Sequence, residues 1–332
     1  MLKFLQKHKP EYTTRSKEFF KITSPVILEQ TFIVMLGIVT TIMVSSEGGH
    51  ALAGVSHVDT IGNLVNAFFA ALTVGATIVV AQYTGRGDRE KASGVAAQAM
   101  LLGVIIGVVI AVLLAVFNYG IIDLFFGHAE YYVILESRVF MSIIAFSFPA
   151  VAVMMTAFGV LRGSGNTRAP MVITIAINLV NVGLGLLLIS RFGVSGAAWA
   201  LLISRYVGAI LGVAYMLTKS STIRFSGLRD FAPNLEVQKL ILRFGLPTTV
   251  ESGTFQMGKL LVATFVAGMG TAAIAANTVV GSISGILNAP GSAFSTGATI
   301  LVGQRIGRGD SHDVRKTTYF SVITAMLTLT VI

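Results

Sequence analysis

Residues 171–190 run for twenty positions without a charged side chain, and residues 193–217 form a second such stretch with Arg205 as its one charge. A helix needs about twenty apolar residues to cross ~30 Å of hydrocarbon, and residues 101–117 come close to that length as well. Composition agrees: the 332 residues are 54% hydrophobic and 12% charged, with mean hydropathy +0.80. Soluble domains carry about 25% charged residues, so too little charge is left to cover a water-facing exterior. The reading is an all-α polytopic membrane protein. With no cysteine there is neither a disulfide framework nor a thiolate metal site. The opening MLKFLQKHKPEYTTRSKEFFK is basic and polar, unlike a removable signal peptide.

Hydropathy windows predict about nine transmembrane helices, near 18–43, 51–83, 92–117, 131–161, 168–190, 194–218, 240–268, 271–304 and 314–332. Of the 24 Lys and Arg residues, twenty fall on the N-terminus and on alternate connections, among them Arg86, Arg89, Arg162, Lys219, Arg224, Arg305 and Arg308. The opposite connections offer only Arg138 and Arg191. This asymmetry predicts a multi-pass protein of the cell membrane with a cytoplasmic N-terminus. It also accounts for the net charge of +9 without nucleic acid.

An internal repeat organises the spans. Residues 75–88, GATIVVAQYTGRGD, match residues 297–310, GATILVGQRIGRGD, at ten of fourteen positions and an offset of 222. The offset continues upstream without a gap, pairing Pro25 with Pro247, Glu29 with Glu251 and Asn66 with Asn288. Six helices separate the copies, an even number, so both enter the membrane from the same side. The expected architecture is two parallel six-helix lobes with substrate between them. The second lobe is incomplete, because a full second copy would reach about residue 441, and the chain is expected to be a fragment. The units are a cytoplasmic segment 1–17, a first lobe 18–218, a basic linker 219–239 and a partial second lobe 240–332.

Two RGD tripeptides, at 86–88 and 308–310, read as helix punctuation: Gly85 and Gly87 end one helix and Asp88 caps the next. Residues 253–260 imitate a phosphate-binding loop, but Leu260 stands where the Mg²⁺-holding hydroxyl is needed. The five histidines show no metal-ligand spacing, and no clustered catalytic set appears, so an enzyme is not expected. Charges inside the membrane are the informative residues, each costing roughly 2.5–3.5 kcal/mol or more at mid-bilayer. Glu29 and Glu251 each follow a helix proline by four residues, and such a carboxylate can exchange H⁺ or hold Na⁺. Both are candidate cation-coupling residues, Glu251 with Na⁺ as an ion it could bind. On the second helix Ser56, Asp59, Asn63 and Asn66 recur at three- and four-residue steps as one polar stripe, which Thr278 and Asn288 repeat in part. Asp59, Asn63, Asn66, Thr40, Asn178, Asn181, Gln256, Asn277 and Asn288 are the candidate cavity-lining residues; helix-to-helix hydrogen bonding is the alternative use for the stripe. Lys259 and Arg205 read as residues that snorkel or pair.

Residues 161–171, LRGSGNTRAPM, with 193–205, GVSGAAWALLISR, and 76–88, resemble the multidrug and toxic compound extrusion (MATE) family from about Lys21 to the chain end. The resemblance implies cation-coupled export, driven by Na⁺ or H⁺, of amphipathic and often cationic compounds by alternating access, from a monomer in the bilayer without a cofactor. It places Glu251 on the family's seventh-helix coupling glutamate. The sequence departs at Thr40 and Gly185, where members carry acids, which leaves Glu29 as the acid available to the first lobe. A lipid-linked sugar flippase would call for more basic residues in the cavity than Arg205 and Lys259 provide. A non-transporting fragment is the remaining alternative.

Overall fold

A computed structural model of the chain describes residues 2–218, 223, 225 and 228–331, without side-chain detail for 2–14, 228, 229, 282, 286, 329 and 331. Lys219 and Arg224 of the expected basic linker lie outside the described residues. The order is α1 (Leu2–Ser45), α2 (Gly49–Arg86), α3 (Arg89–Val116), α4 (Asn118–Phe126), α5 (Tyr131–Ile144), α6 (Phe148–Gly163), α7 (Arg168–Leu217), α8 (Leu235–Ala267), α9 (Thr271–Arg308) and α10 (Ser311–Val331). No strand occurs among the described residues. Among the described residues five helical stretches are long and apolar enough to cross a bilayer: 15–45, α2, α3, residues 131–163 and α7. The two arms of α9, bent by 40°, make a sixth when taken as one span.

Several helices depart from simple rods for reasons visible in the sequence. The unit α5–α6 is interrupted by the 3₁₀ turn Ala145–Ser147, because Pro149 lacks an N–H and its ring crowds the carbonyl four residues back. α7 is a helical hairpin: Gly193 has φ 55° and ψ −132°. A methyl group on Gly196 would lie 2.2 Å from the Leu188 carbonyl oxygen, a distance a straight helix cannot give to residues eight apart. The 193–205 run therefore starts a new helix by turning the chain back on itself. The short α4 was not expected, since its nine residues fall below any membrane window. α1 begins well before residue 18, continuing the helix through the polar N-terminal segment.

Residues separated by 222 positions meet one another. Ser56 of α2 hydrogen-bonds Thr278 of α9, and a methyl group on Gly49 would touch Thr271 at 4.0 Å. At the other ends of these helices, Gly303 faces Ala81, Gly307 lies against the Gln82 carbonyl and Gly85 against the Gln304 carbonyl. The first helix of each copy also packs on the second helix of the other. Phe19 of α1 stacks on Phe294 of α9 at 5.8 Å, and Ile241 of α8 packs on Gly75 of α2.

Both RGD sequences are helix boundaries. Gly87 and Gly309 take the left-handed conformation with φ 79°, Asp88 accepts from the Lys91 amide at 3.0 Å and Asp310 from the His312 and Asp313 amides. The Lys91 amide, with the Lys91 and Arg86 charges, holds the Asp88 carboxyl below the usual carboxylate range. Gly85 corrects the expectation, because it sits inside α2 and serves close approach to α9, which any side chain would block. The phosphate-loop imitation at 253–260 is interior helix of α8.

Candidate functional site

Glu29 is fully buried and forms an ion pair with Arg162. Arg162 ends α6 and lies over the Phe158 ring at 6.0 Å, so the pair ties α1 to α6. Glu29 Oε2 and Arg162 Nε have no hydrogen-bond partner. Residues 159–166, which include the LRGSGN run, supply the rest of the junction. Gly159 receives a hydrogen bond from Thr77 at 2.9 Å and Gly163 one from Gln304 at 3.3 Å. Asn166 accepts from the Ala169 amide and donates to the Tyr215 hydroxyl at 2.8 Å. Glu29 is thus neutralised in place by a neighbouring guanidinium. Arg162, read from sequence only as a charge at a span end, is its partner.

Near the other end of α1 a chain of neutral groups joins α1 to both arms of α7. Asn178 donates to the Phe32 carbonyl at 2.6 Å. Thr40 donates to Asn181 at 3.4 Å, and Asn181 donates to Ser204 at 3.3 Å. Asn181 is buried, while Thr40 and Asn178 are half-buried. These three candidates come together, but as ties between helices. An acid at Gly185 would require the Met43 side chain to move aside, since its terminal methyl lies 2.6 Å from where a Cβ would stand.

The α2 stripe behaves differently. Asp59 is surrounded by protein and near enough to Arg205 for the two charges to act on each other, yet it keeps exposed surface. It therefore borders an internal space. Neither Asp59 nor the exposed Asn63 makes a hydrogen bond or direct ion pair among the described residues. Asn66 is half-buried with an unpartnered Oδ1. Arg205 reaches this space from α7, donating to Ser147 Oγ at 2.6 Å and lying over Phe148 at 5.9 Å. The 3₁₀ turn positions it: Ser147 gives its own hydrogen to Ile144, and Tyr206 donates to the Phe146 carbonyl at 3.1 Å. Arg205 therefore pairs inward instead of snorkelling; Lys259 is exposed and covers the Phe255 ring at 4.9 Å.

The candidates of the second copy are not gathered. Glu251, at the position equivalent to Glu29, is exposed and has no ion pair or hydrogen bond among the described residues. Gln256 is half-buried and Asn277 exposed, and Asn288 donates within its own helix to Ser284 at 2.7 Å. Among the described residues no group of three His, Cys, Asp or Glu side chains could hold a metal ion, so no donor set surrounds Glu251. A further ionic cluster was missed: Arg15 and Arg305 share Asp313, and Arg305 also binds Glu18. It joins α1 to α9 and α10. Burial opposes the Asp313 charge, but the two guanidiniums outweigh it and hold the carboxyl below its ordinary range.

Comparison with known proteins places this arrangement. The family described as MatE matches residues 25–187 and 247–332. The probable multidrug resistance protein NorM of Thermotoga maritima is 27% identical over 317 residues, covering 92% of this chain and 66% of that protein. Multidrug resistance protein PmpM of Pseudomonas aeruginosa is 25% identical over 316 residues, covering 90% of this chain and 64% of PmpM. The chain thus spans about two thirds of the length of these curated relatives. The outward-facing structure of a multidrug resistance MATE family transporter superposes with TM-score 0.85 at 22% identity, over 94% of this chain and 70% of that one. A MOP superfamily transporter from Pyrococcus furiosus gives the same TM-score and coverage. Likeness at that identity shows the fold.

Proposed function

The chain belongs to the MatE family, and on that premise we propose that it works in the cation-coupled export of amphipathic, often cationic compounds. Nine crossings, six in a first lobe and three in a second, alternate access to the space between the lobes. The observation that carries this reading is the set of contacts at an offset of 222, Ser56 with Thr278 and Ala81 with Gly303. Equivalent residues of two parallel repeats meet where a two-fold axis along the membrane normal passes between them. α2 and α9 touch at both ends, and polar groups of α2 line the space between. Glu251 takes the coupling role, with Na⁺ or H⁺ as the ion. Glu29 is a structural charge of the first lobe. The relatives' names, multidrug resistance proteins, support drugs as the substrate class.

Cells expressing the protein are expected to retain several-fold less of a cationic dye such as ethidium, and collapse of the Na⁺ and H⁺ gradients should abolish the difference. Equal dye retention with and without expression of the protein would refute export. Orientation is testable because the chain has no cysteine. Cysteines placed at Ser16 and Ser311 should resist an impermeant thiol reagent in intact cells, whereas cysteines at the exposed Ser46 and Ser190 should react. The reverse pattern would put the N-terminus outside.

A further inference from the structure

We infer that Arg15, Glu18, Arg305 and Asp313 form a latch on the α1–α9 seam, and that the bundle opens there while the equivalent α2–α8 seam stays shut as the hinge. The inference rests on the alternating-access reading, which needs the end marked by both RGD boundaries to open, and it names where the lobes part. Arg15 of α1 donates to Asp313 Oδ1 of α10 at 2.5 Å and to Thr317 Oγ1 at 3.0 Å. Arg305 of α9 donates to the other Asp313 oxygen and to Glu18 of α1. Each guanidinium thus holds one Asp313 oxygen, and within the set two cations balance two carboxylates across the seam.

At the offset of 222 the other seam is built differently. Arg15, Glu18 and Arg305 correspond to Val237, Leu240 and Tyr83, which pack on a large apolar cluster that includes Leu72, Val95 and Ile241. Asp313 corresponds to Lys91, which pairs with Asp88 at its own helix boundary at 3.4 Å, and Thr317 corresponds to Val95. Gln98 of α3 clasps the start of α8. It donates to the Asp230 and Ala232 carbonyls at 3.0 and 2.7 Å and accepts from the Asn234 amide at 2.9 Å and the Gln238 side chain at 3.0 Å. Its counterpart, Phe320, has a ring that cannot do this. A methyl group on Gly75 would lie 2.2 Å from the Ile241 carbonyl oxygen, and one on Gly245 2.2 Å from that of Ala71, so α2 and α8 meet backbone to backbone. Gly245 corresponds to Thr23, and it is the Thr23 side chain that Gly297 of α9 meets.

Opening the α2–α8 seam would uncover apolar surface and break close-packed contacts that water cannot replace. The α1–α9 seam buries a smaller cluster around Phe19 and Phe294, and its four charges are all partly exposed. As a network the charges hold one geometry; once parted, each is hydrated. A swing about the α2–α8 seam also parts α9 from α2 at Gly85 and Gly307, where the glycines present no side chain to disengage.

Because the chain has no cysteine, nitroxide labels can be attached at cysteines placed in two equivalent pairs. Lys17 with His312 spans the latch and Glu90 with Lys239 spans the hinge, and all four positions are exposed. Distances in the purified full chain are read by double electron–electron resonance. Asp313→Asn leaves a single acceptor oxygen and turns an amide NH₂ toward the other guanidinium. It is expected to raise the long-distance population of the Lys17–His312 pair several-fold from that of a minor state, roughly 10% or less. The Glu90–Lys239 distances should not change, which also checks that the bundle stays folded. Glu18→Gln, at the most exposed member of the set, should raise the population less, and it carries the same comparison if Asp313→Asn does not fold. Lengthening of both pairs alike, of the hinge pair alone, or of neither overturns the inference. Dye efflux by the same proteins judges export separately: a parent that moves no dye removes the export reading, while the distances still decide which seam opens.

Discussion

Replacing Arg162 by leucine is expected to destabilise the protein by about 3–5 kcal/mol, because Glu29 would be left as an uncompensated buried charge. Glu29 has no exposed surface and, among the described residues, no other cationic partner within ion-pair distance, so without Arg162 it must stay charged at that cost or take up a proton. In a chain of this size the loss should lower the melting temperature in detergent by on the order of 10 °C. Glu29→Gln should cost less, since an amide still accepts a hydrogen bond from the guanidinium. Replacing both partners by methionine should recover most of the loss, as apolar substitutes for a buried pair are often neutral or better. Differential scanning fluorimetry on the four proteins decides it. Single variants that melt with the parent would show that the pair holds nothing together.

What the sequence made legible is what periodicity and hydropathy encode. The apolar windows found the long helices to within a few residues at most ends, and the repeat offset turned out to be the offset of touching residues. Of the glycines shared by 75–88 and 297–310, Gly85 and Gly307 lie where α2 and α9 meet, Gly75 and Gly297 face Ile241 of α8 and Thr23 of α1, and Gly87 and Gly309 end their helices. What stayed hidden depends on the third dimension. The Glu29–Arg162 pair spans 133 positions, and no local pattern links its members. The same holds for Arg205 and Ser147, joined only because a proline turned the α5–α6 unit into a 3₁₀ step. α4 escaped because its nine residues are too few for any membrane window. The glutamates show the limit most sharply: Glu29 and Glu251 occupy matching positions after matching prolines, yet one is sealed in an ion pair and the other is exposed and unpaired.

That contrast sets the expected effect of Glu251→Gln: loss of cation-driven efflux to background while the protein still inserts and folds. Glutamine preserves shape and hydrogen bonding but can neither release a proton nor neutralise a bound Na⁺, the two exchanges an antiporter needs from this position. Because Glu251 makes no ion pair among the described residues, removing its charge strands no partner, and the melting temperature should stay near that of the parent. Glu29→Gln should do the opposite, shifting stability while reducing efflux only in proportion to the folded fraction. Asp59→Asn should alter which compounds leave and keep the response to the ion gradient. Dye efflux from vesicles under imposed Na⁺ and H⁺ gradients, normalised to the amount of folded protein, separates the three acids. Near-parental, gradient-dependent efflux by Glu251→Gln would mean the coupling ion binds elsewhere, and Asp59, an exposed acid within the membrane-spanning stretch of α2, would be the next residue to neutralise.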